Sequence, residues 1–184
     1  FNIWGDGGFI ITNNKKLAKK LLLLRNHGLV DRNNCEIFGF NSRLDTIQAA
    51  VANYKMKNKL NNITNKRIKN AHFFDRLLKN NLNIKLVKRL SHLKEVFHLY
   101  QINVENRESL KKFLISNSVD AKVHYPKPIH LQQAAKYLKY KKGDFPMAEK
   151  MANTSLSLPV HEFIKENDIR YVVNLINKFY SKKK

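Results

Sequence analysis

Residues 39–50 read GFNSRLDTIQAA. A polar run, Asn41-Ser42-Arg43, stands directly before a segment in which Leu44, Ile47, Val51 and Tyr54 return at helical spacing. The stretch therefore predicts a helix opening near Leu44, with Asn41 or Ser42 as its cap. That would place Asn41 and Arg43 at a helix N-terminus, where unpaired backbone N–H groups and the macrodipole favour an anion such as phosphate. Asp45 would then sit in the first turn, where it suits the dipole and is in reach of Arg43. A plain capped helix with a surface ion pair fits the same residues, and physics alone leaves the two readings even.

Downstream, the helical period runs on through LDTIQAAVANYKMKNKL and RIKNAHFFDRLLKN to about Asn80. One long or kinked helix of that length predicts a connector between two lobes. Upstream, GFIIT (8–12) is short and β-branched and predicts a buried strand. Asn13 or Asn14 then caps KKLAKKLLLLRNHG, a helix that Gly28 closes, and a loop runs from about Leu29 to Ser42. GDGG at 5–8 is a turn signal; it lacks the GxGxxG spacing of a dinucleotide-binding loop.

Beyond the long helix the pattern alternates. IKLV (84–87), VFHLYQINV (96–104) and DAKVHY (120–125) read as strands, the last ended by Pro126. ESLKKFLISN reads as a helix, with further helices near 131–138 and 146–153, an extended SLSLP, and a last helix from about Lys165 to Tyr180. Such interleaving predicts an α+β lobe with a mainly antiparallel sheet, and the terminal KKK (182–184) reads as a solvated tail. VHYPKPIH at 123–130 sets His124, Tyr125 and His130 around two prolines, which make a stiff loop able to present rings to a ligand. No His, Cys, Asp or Glu group has zinc spacing, and no Ser–His–Asp order is defensible, so no metal site is expected.

The chain has 184 residues and a formal net charge of +21. Clustered Lys and Arg would point to a nucleic-acid-binding module. Here the lysines are spread along the chain with many Asn and Ile, as an AT-rich genome encodes. A single cysteine, Cys35, excludes an internal disulfide framework and suits a reducing, cytoplasmic setting. No apolar run approaches the roughly 18 residues of a membrane span, so no membrane partner is expected. The opening FNIWGDGG carries neither an initiator Met nor a signal pattern and reads as a chain entered in its middle.

Taken in order, GDGGFIITN, LLLLRNHG, GFNSRLDTIQAA, FHLYQINV, VHYPKPIHLQ, GDFPMAE and SLSLPV resemble the DegT-like family of pyridoxal-phosphate-dependent nucleotide-sugar aminotransferases over nearly the whole chain. NSRLDTIQAA, HYPKPIHLQ and GDFPMAE look most like its branch acting on 3-keto sugars. The resemblance implies an α/β fold class: the C-terminal part of an aspartate-aminotransferase-like (fold type I) enzyme. Residues 1–43 would end the large cofactor-binding domain, 44–80 form the connecting helix, and 81–184 the small C-terminal α+β domain. It implies pyridoxal 5'-phosphate as cofactor, a nucleotide-sugar substrate, glutamate as amino donor, and a homodimer with its active site at the interface. Such an enzyme would serve cell-surface polysaccharide or deoxysugar biosynthesis. Asn41 matches a residue reaching the cofactor phosphate of the partner subunit, and Arg43, His124 and Tyr125 match positions that contact the nucleotide sugar. His130 matches the motif without an assigned role. The family's aldimine lysine would fall about two residues before Phe1, so no catalytic residue is assigned within this chain, and the chain alone is expected to be inactive. Two other readings stay open. One is a dehydratase of the same family, with histidine in place of that lysine; the other is a basic nucleic-acid-binding module.

Overall fold

The structure is a computed structural model that describes residues 3–181. The lysine tail expected at 182–184 lies outside the described residues. The chain divides into two compact units, residues 1–61 and residues 62–184.

In the first unit, α1 (Lys15–Leu24) opens on Asn14, whose side chain accepts from the backbone N–H groups of Lys16 and Leu17. Two of the helix's orphan donors are thereby satisfied, as the capping residue predicts. Gly28 ends the helix as expected: its φ is +73° and its N–H donates to Leu23 O at 2.7 Å. A Cβ at Gly28 would lie 1.5 Å from Ile37 O, and one at Gly39 would lie 2.5 Å from Gly28 N. The two glycines thus let the 37–42 segment lie directly on the end of α1. It is held there by bonds from Phe40 N to Leu24 O, His27 N to Phe40 O and Ser42 N to Arg25 O. The next helix, α2 (Thr46–Asn58), begins later than the sequence predicts. Its N-cap is Asp45, in extended backbone and with no side-chain capping bond, so neither Asn41 nor Ser42 caps it.

GFIIT is not a strand. Residues 8–12 have no ladder partner among the described residues, and Phe9 and Ile11 are 73% and 85% exposed. The physical reason is the unit around them: neither α1 nor α2 buries a residue, and among the unit's described residues Gly28 alone is buried. A β-branched run has no core to face there. The turn expected at GDGG lies earlier: Gly5 N–H donates to Ile3 O at 2.7 Å across Trp4, residues 6–8 form no turn, and Gln48 of α2 donates to Trp4 O and Asp6 O.

The helix expected over 44–80 is interrupted at Lys59, whose φ and ψ are −128° and −27°. From there α3 (Leu60–Leu78) carries the period into the second unit, burying Ala71, Phe73, Phe74 and Leu78. The sheet is antiparallel throughout, in the order β1 (Ile84–Leu86), β2 (Tyr100–Val104), β3 (Ser155–Leu158). Ile84 pairs with Val104, and Tyr100 with Leu158. In β2 the residues alternate, Tyr100, Ile102 and Val104 buried and Gln101 and Asn103 half-buried, the signature of a strand with one face on a core. The expected strand at 120–125 shrinks to one bridge, Lys122 against Ser157. Pro126 lacks the N–H that would extend it.

Helices α4 (Arg107–Ser116) and α6 (Glu166–Ser181) cover the sheet, and α5 (Pro146–Thr154) leads into β3. Pro146 opens α5 where its missing N–H costs nothing. In α6, Ile169, Val172, Val173, Ile176 and Tyr180 form the buried stripe at helical spacing. They join Phe74, Tyr100, Ile102, Leu110, Leu114 and Leu156 in one core. Phe97 enters this core with φ at +49°, a conformation rare for a bulky residue. Its carbonyl accepts from Arg67 Nη1 at 3.2 Å, and Arg89 lies 4.9 Å over its ring.

Candidate functional site

Asn41 sits on the segment that the two glycines press against α1, bridged to Asn26 in antiparallel fashion. Its backbone is therefore fixed by the end of one helix and not by the start of another. Arg43 Nε donates to Asn41 Oδ1 at 3.1 Å. That bond fixes the flip of the amide: the oxygen faces the guanidinium, and the NH₂ is left to donate outward. Both side chains are exposed, and Asp45 makes no ion pair with Arg43 among the described residues. The pair presents an amide donor beside a permanent positive charge, a donor set suited to a phosphate oxygen. Arg43 also lines an open groove of about 1140 Å³ within this unit, with Asp6, Phe9, Arg25, Phe40 and Ser42. The helix N-terminus expected at Asn41 and Arg43 is not there: α2 starts at Thr46, and its free N–H groups begin beyond Asp45.

His124 and Tyr125 belong to the second unit. His124 Nδ1 is hydrogen-bonded with Ser157 Oγ at 3.0 Å, and the two rings are 6.4 Å apart, centroid to centroid. Ser157 is buried in β3, so His124 is fastened to the sheet by its near edge. Tyr125 is 74% exposed. A large phenol ring held out of the core by a proline-flanked backbone has surface free for a ligand. His130 behaves otherwise. Its side chain is 8% exposed and bonds Glu149 Oε1 at 3.1 Å, while its ring packs on Phe145 at 4.8 Å.

Among the described residues no group of three His, Cys, Asp or Glu is placed to hold a metal ion. Nor is any helix there long and apolar enough to cross a membrane.

The sequence model of the DegT/DnrJ/EryC1/StrS aminotransferase family matches residues 2–177. The chain belongs to that family. Among curated members it is 40% identical over 179 residues to the "Pleiotropic regulatory protein" of Geobacillus stearothermophilus, covering 96% of this chain and 48% of that protein. It is 31% identical to the dTDP-3-amino-3,4,6-trideoxy-alpha-D-glucose transaminase of Streptomyces venezuelae, covering 96% and 46%. The crystal structure of S. venezuelae DesV in complex with ketimine intermediate superposes with a TM-score of 0.86 at 30% identity, over 92% of this chain and 45% of that one. The chain therefore spans about half the length of the aminotransferases it matches, and its fold is that of their C-terminal part.

The family member's site has parts that the motifs did not reveal. Ser157 was visible only as a residue of an extended segment; its bond to His124 depends on the bridge between Lys122 and Ser157. Glu149 carries no sequence signal as a partner of His130, because 19 residues separate them. Its carboxyl is held below the usual range, first by the N–H of Gly143 and then by His130. Gln48, inside the 39–50 motif, turns out to hold the backbone at Trp4 and Asp6.

Proposed function

We propose that this chain is the C-terminal part of an aminotransferase that converts a nucleotide-linked keto sugar, of the 3-keto class, to the amino sugar. The observation that carries the reading is the family match over residues 2–177. In this reading residues 1–43 end the large domain, 44–80 connect, and 81–184 form the small domain. The enzyme acts as a homodimer with sites at its interface, in the cytoplasm, supplying amino sugars for cell-surface polysaccharide or deoxysugar biosynthesis.

Pyridoxal 5'-phosphate, when bound, supplies the electron sink through which an amino group passes from a donor, glutamate, to the sugar ketone. The residues of this chain bind and orient. The Asn41 NH₂ would donate to a phosphate oxygen of the cofactor of the partner subunit, with Arg43, bonded to Asn41 Oδ1, keeping that amide turned outward. The Arg43 guanidinium also offers its remaining donors to the negative charge of the nucleotide sugar. His124, tethered by Ser157, and Tyr125 beside it contribute a ring donor and a phenol to the substrate. The net positive charge of the chain, +21, favours the approach of such an anion. No residue here is assigned to move the proton.

The test is turnover by the intact enzyme given glutamate and dTDP- or UDP-linked 3-keto sugars, with products read by mass spectrometry. An amino sugar in place of the ketone supports the reading. A product that has lost a hydroxyl instead would make the enzyme a dehydratase. No turnover, joined to steeply salt-dependent binding of nucleic acid, would return the chain to a basic binding module.

A further inference from the structure

The segment from His124 to His130 carries two prolines and is fastened at both ends. At one end His124 bonds Ser157 of β3 at 3.0 Å. At the other, His130 Nε2 bonds Glu149 Oε1 at 3.1 Å, both side chains being largely buried, 8% and 13% exposed. Between them Pro126 and Pro128 fix two φ angles, and Gln132 Nε2 donates back to Lys127 O at 3.3 Å. Tyr125 is thus held exposed on a strap that has few torsions left to move.

The far anchor has a second function. The same Glu149 oxygen accepts the Gly143 N–H at 2.7 Å. Gly143 has φ of +98° and belongs to a turn in which Lys141 N–H donates to Asp144 Oδ2 at 2.9 Å. Phe145 closes the arrangement, its ring 4.8 Å from His130 and 5.0 Å edge-on to Tyr140. One carboxylate on α5 therefore joins the His124–His130 strap to the 139–145 turn. A half-buried carboxylate given a ring donor and a backbone donor on one oxygen is held in place as an anchor by those two bonds.

We propose that His130 and Glu149 are positioning residues for nucleotide-sugar binding: they form a latch that holds the strap, and with it His124 and Tyr125, in the orientation that receives the substrate. This rests on the functional reading above, so the experiment needs one arm that does not depend on turnover. In that arm, amide hydrogen exchange is followed in the intact enzyme for peptides covering 123–131 and 139–145. Glu149→Ala should speed exchange in both peptides by at least about tenfold while leaving α6 protected. Glu149→Gln keeps an acceptor for Gly143 and His130 and should restore protection. In the second arm, Glu149→Ala should raise KM for the nucleotide sugar about tenfold or more, with kcat and cofactor affinity within about threefold of wild type. Glu149→Gln should recover most of that loss. Unchanged exchange in Glu149→Ala would overturn the latch itself. Faster exchange with unchanged KM would overturn its positioning of the substrate. A wild-type enzyme inert toward every nucleotide keto sugar would remove the functional reading, while the exchange arm still judges the latch. Should Glu149→Ala fail to fold, His130→Gln takes its place in both arms with the same criteria.

Discussion

The Tyr100 hydroxyl donates to Asp75 Oδ1 at 2.8 Å, and so ties the first residue of β2 to the last turn of α3. The same carboxylate receives Arg89 through Nε at 3.1 Å and Nη2 at 3.2 Å, and Arg89 Nη1 reaches Glu95 at 2.9 Å. Removing different members should have unequal effects. Tyr100→Phe takes away one donor and leaves the ion pair, and should cost about 1 kcal/mol. Asp75→Ala leaves the buried phenol without its acceptor and the half-buried guanidinium with Glu95 alone, and should cost about 3 kcal/mol. Urea unfolding of the two variants checks the order; equal losses would mean the ion pair contributes nothing beyond the single bond.

Alkali should loosen the second unit before it reaches the arginines. Burial pushes the Tyr180 hydroxyl, which donates to Glu105 O at 2.7 Å, up to about 12 from the ordinary tyrosine value of 10.0. Burial, and then the bond to Asp75, push Tyr100 higher still. A raised folded-state value means the folded chain keeps a proton that the unfolded chain releases. Stability is therefore intact below about pH 10 and falls between about 10 and 12 for Tyr180, with Tyr100 extending the fall upward. Stability curves taken across that range in wild type and Tyr180→Phe should diverge below pH 10 by a constant and converge above it.

Gly28→Ala should disable the Asn41 segment without unfolding the sheet. An added methyl meets Ile37 O at 1.5 Å, and the backbone there is left-handed at φ +73°, so the 37–42 segment must move off α1. Exchange of the Phe40 and Ser42 amides, now bonded to Leu24 O and Arg25 O, should rise to that of open chain. Protection in α6 should not change, because it belongs to the other unit.

In the assembled enzyme Asn41→Ala should weaken retention of the cofactor by about ten- to a hundredfold, the value of one bond to a charged oxygen, about 1.5–3 kcal/mol. Arg43→Ala should raise KM for the nucleotide sugar and also loosen the cofactor by a smaller factor. The bond from Arg43 Nε to Asn41 Oδ1 makes the two residues a unit, so their effects should not be additive. Equilibrium dialysis of the cofactor against single and double variants measures both.

The elements that could be read from sequence are those whose signal is local. The stripe of α6, the Asn14 cap and the Gly28 stop each follow from spacing within one segment and appear as expected, whereas of the strand expected over 96–104 only 100–104 forms, because the left-handed backbone of Phe97 breaks the alternation before it. The elements misread depend on neighbours. Residues 8–12 have strand composition but face no core, and 120–125 have a partner for a single bridge. The start of α2 moved past Leu44 because the backbone of 40–42 is already committed to the end of α1. Of the site, residue types and segments were legible; the pairing of Arg43 with Asn41, His124 with Ser157 and His130 with Glu149 was not. The last two arise only when β3 and α5 fold back on the proline loop.

Position 97 is subject to two opposed demands. Its left-handed backbone would suit glycine, relieving strain of about 1–3 kcal/mol, while its buried ring, flanked by Arg89 and edge-on to His72, fills space whose loss would cost about 3–5 kcal/mol. The second demand is larger, so an aromatic residue persists in a conformation it would not choose. Among descendants of this sequence, drift at position 97 should accordingly be confined to Phe and Tyr. A β-branched residue would meet neither demand, and a glycine would become admissible only after a neighbour had grown to fill the space.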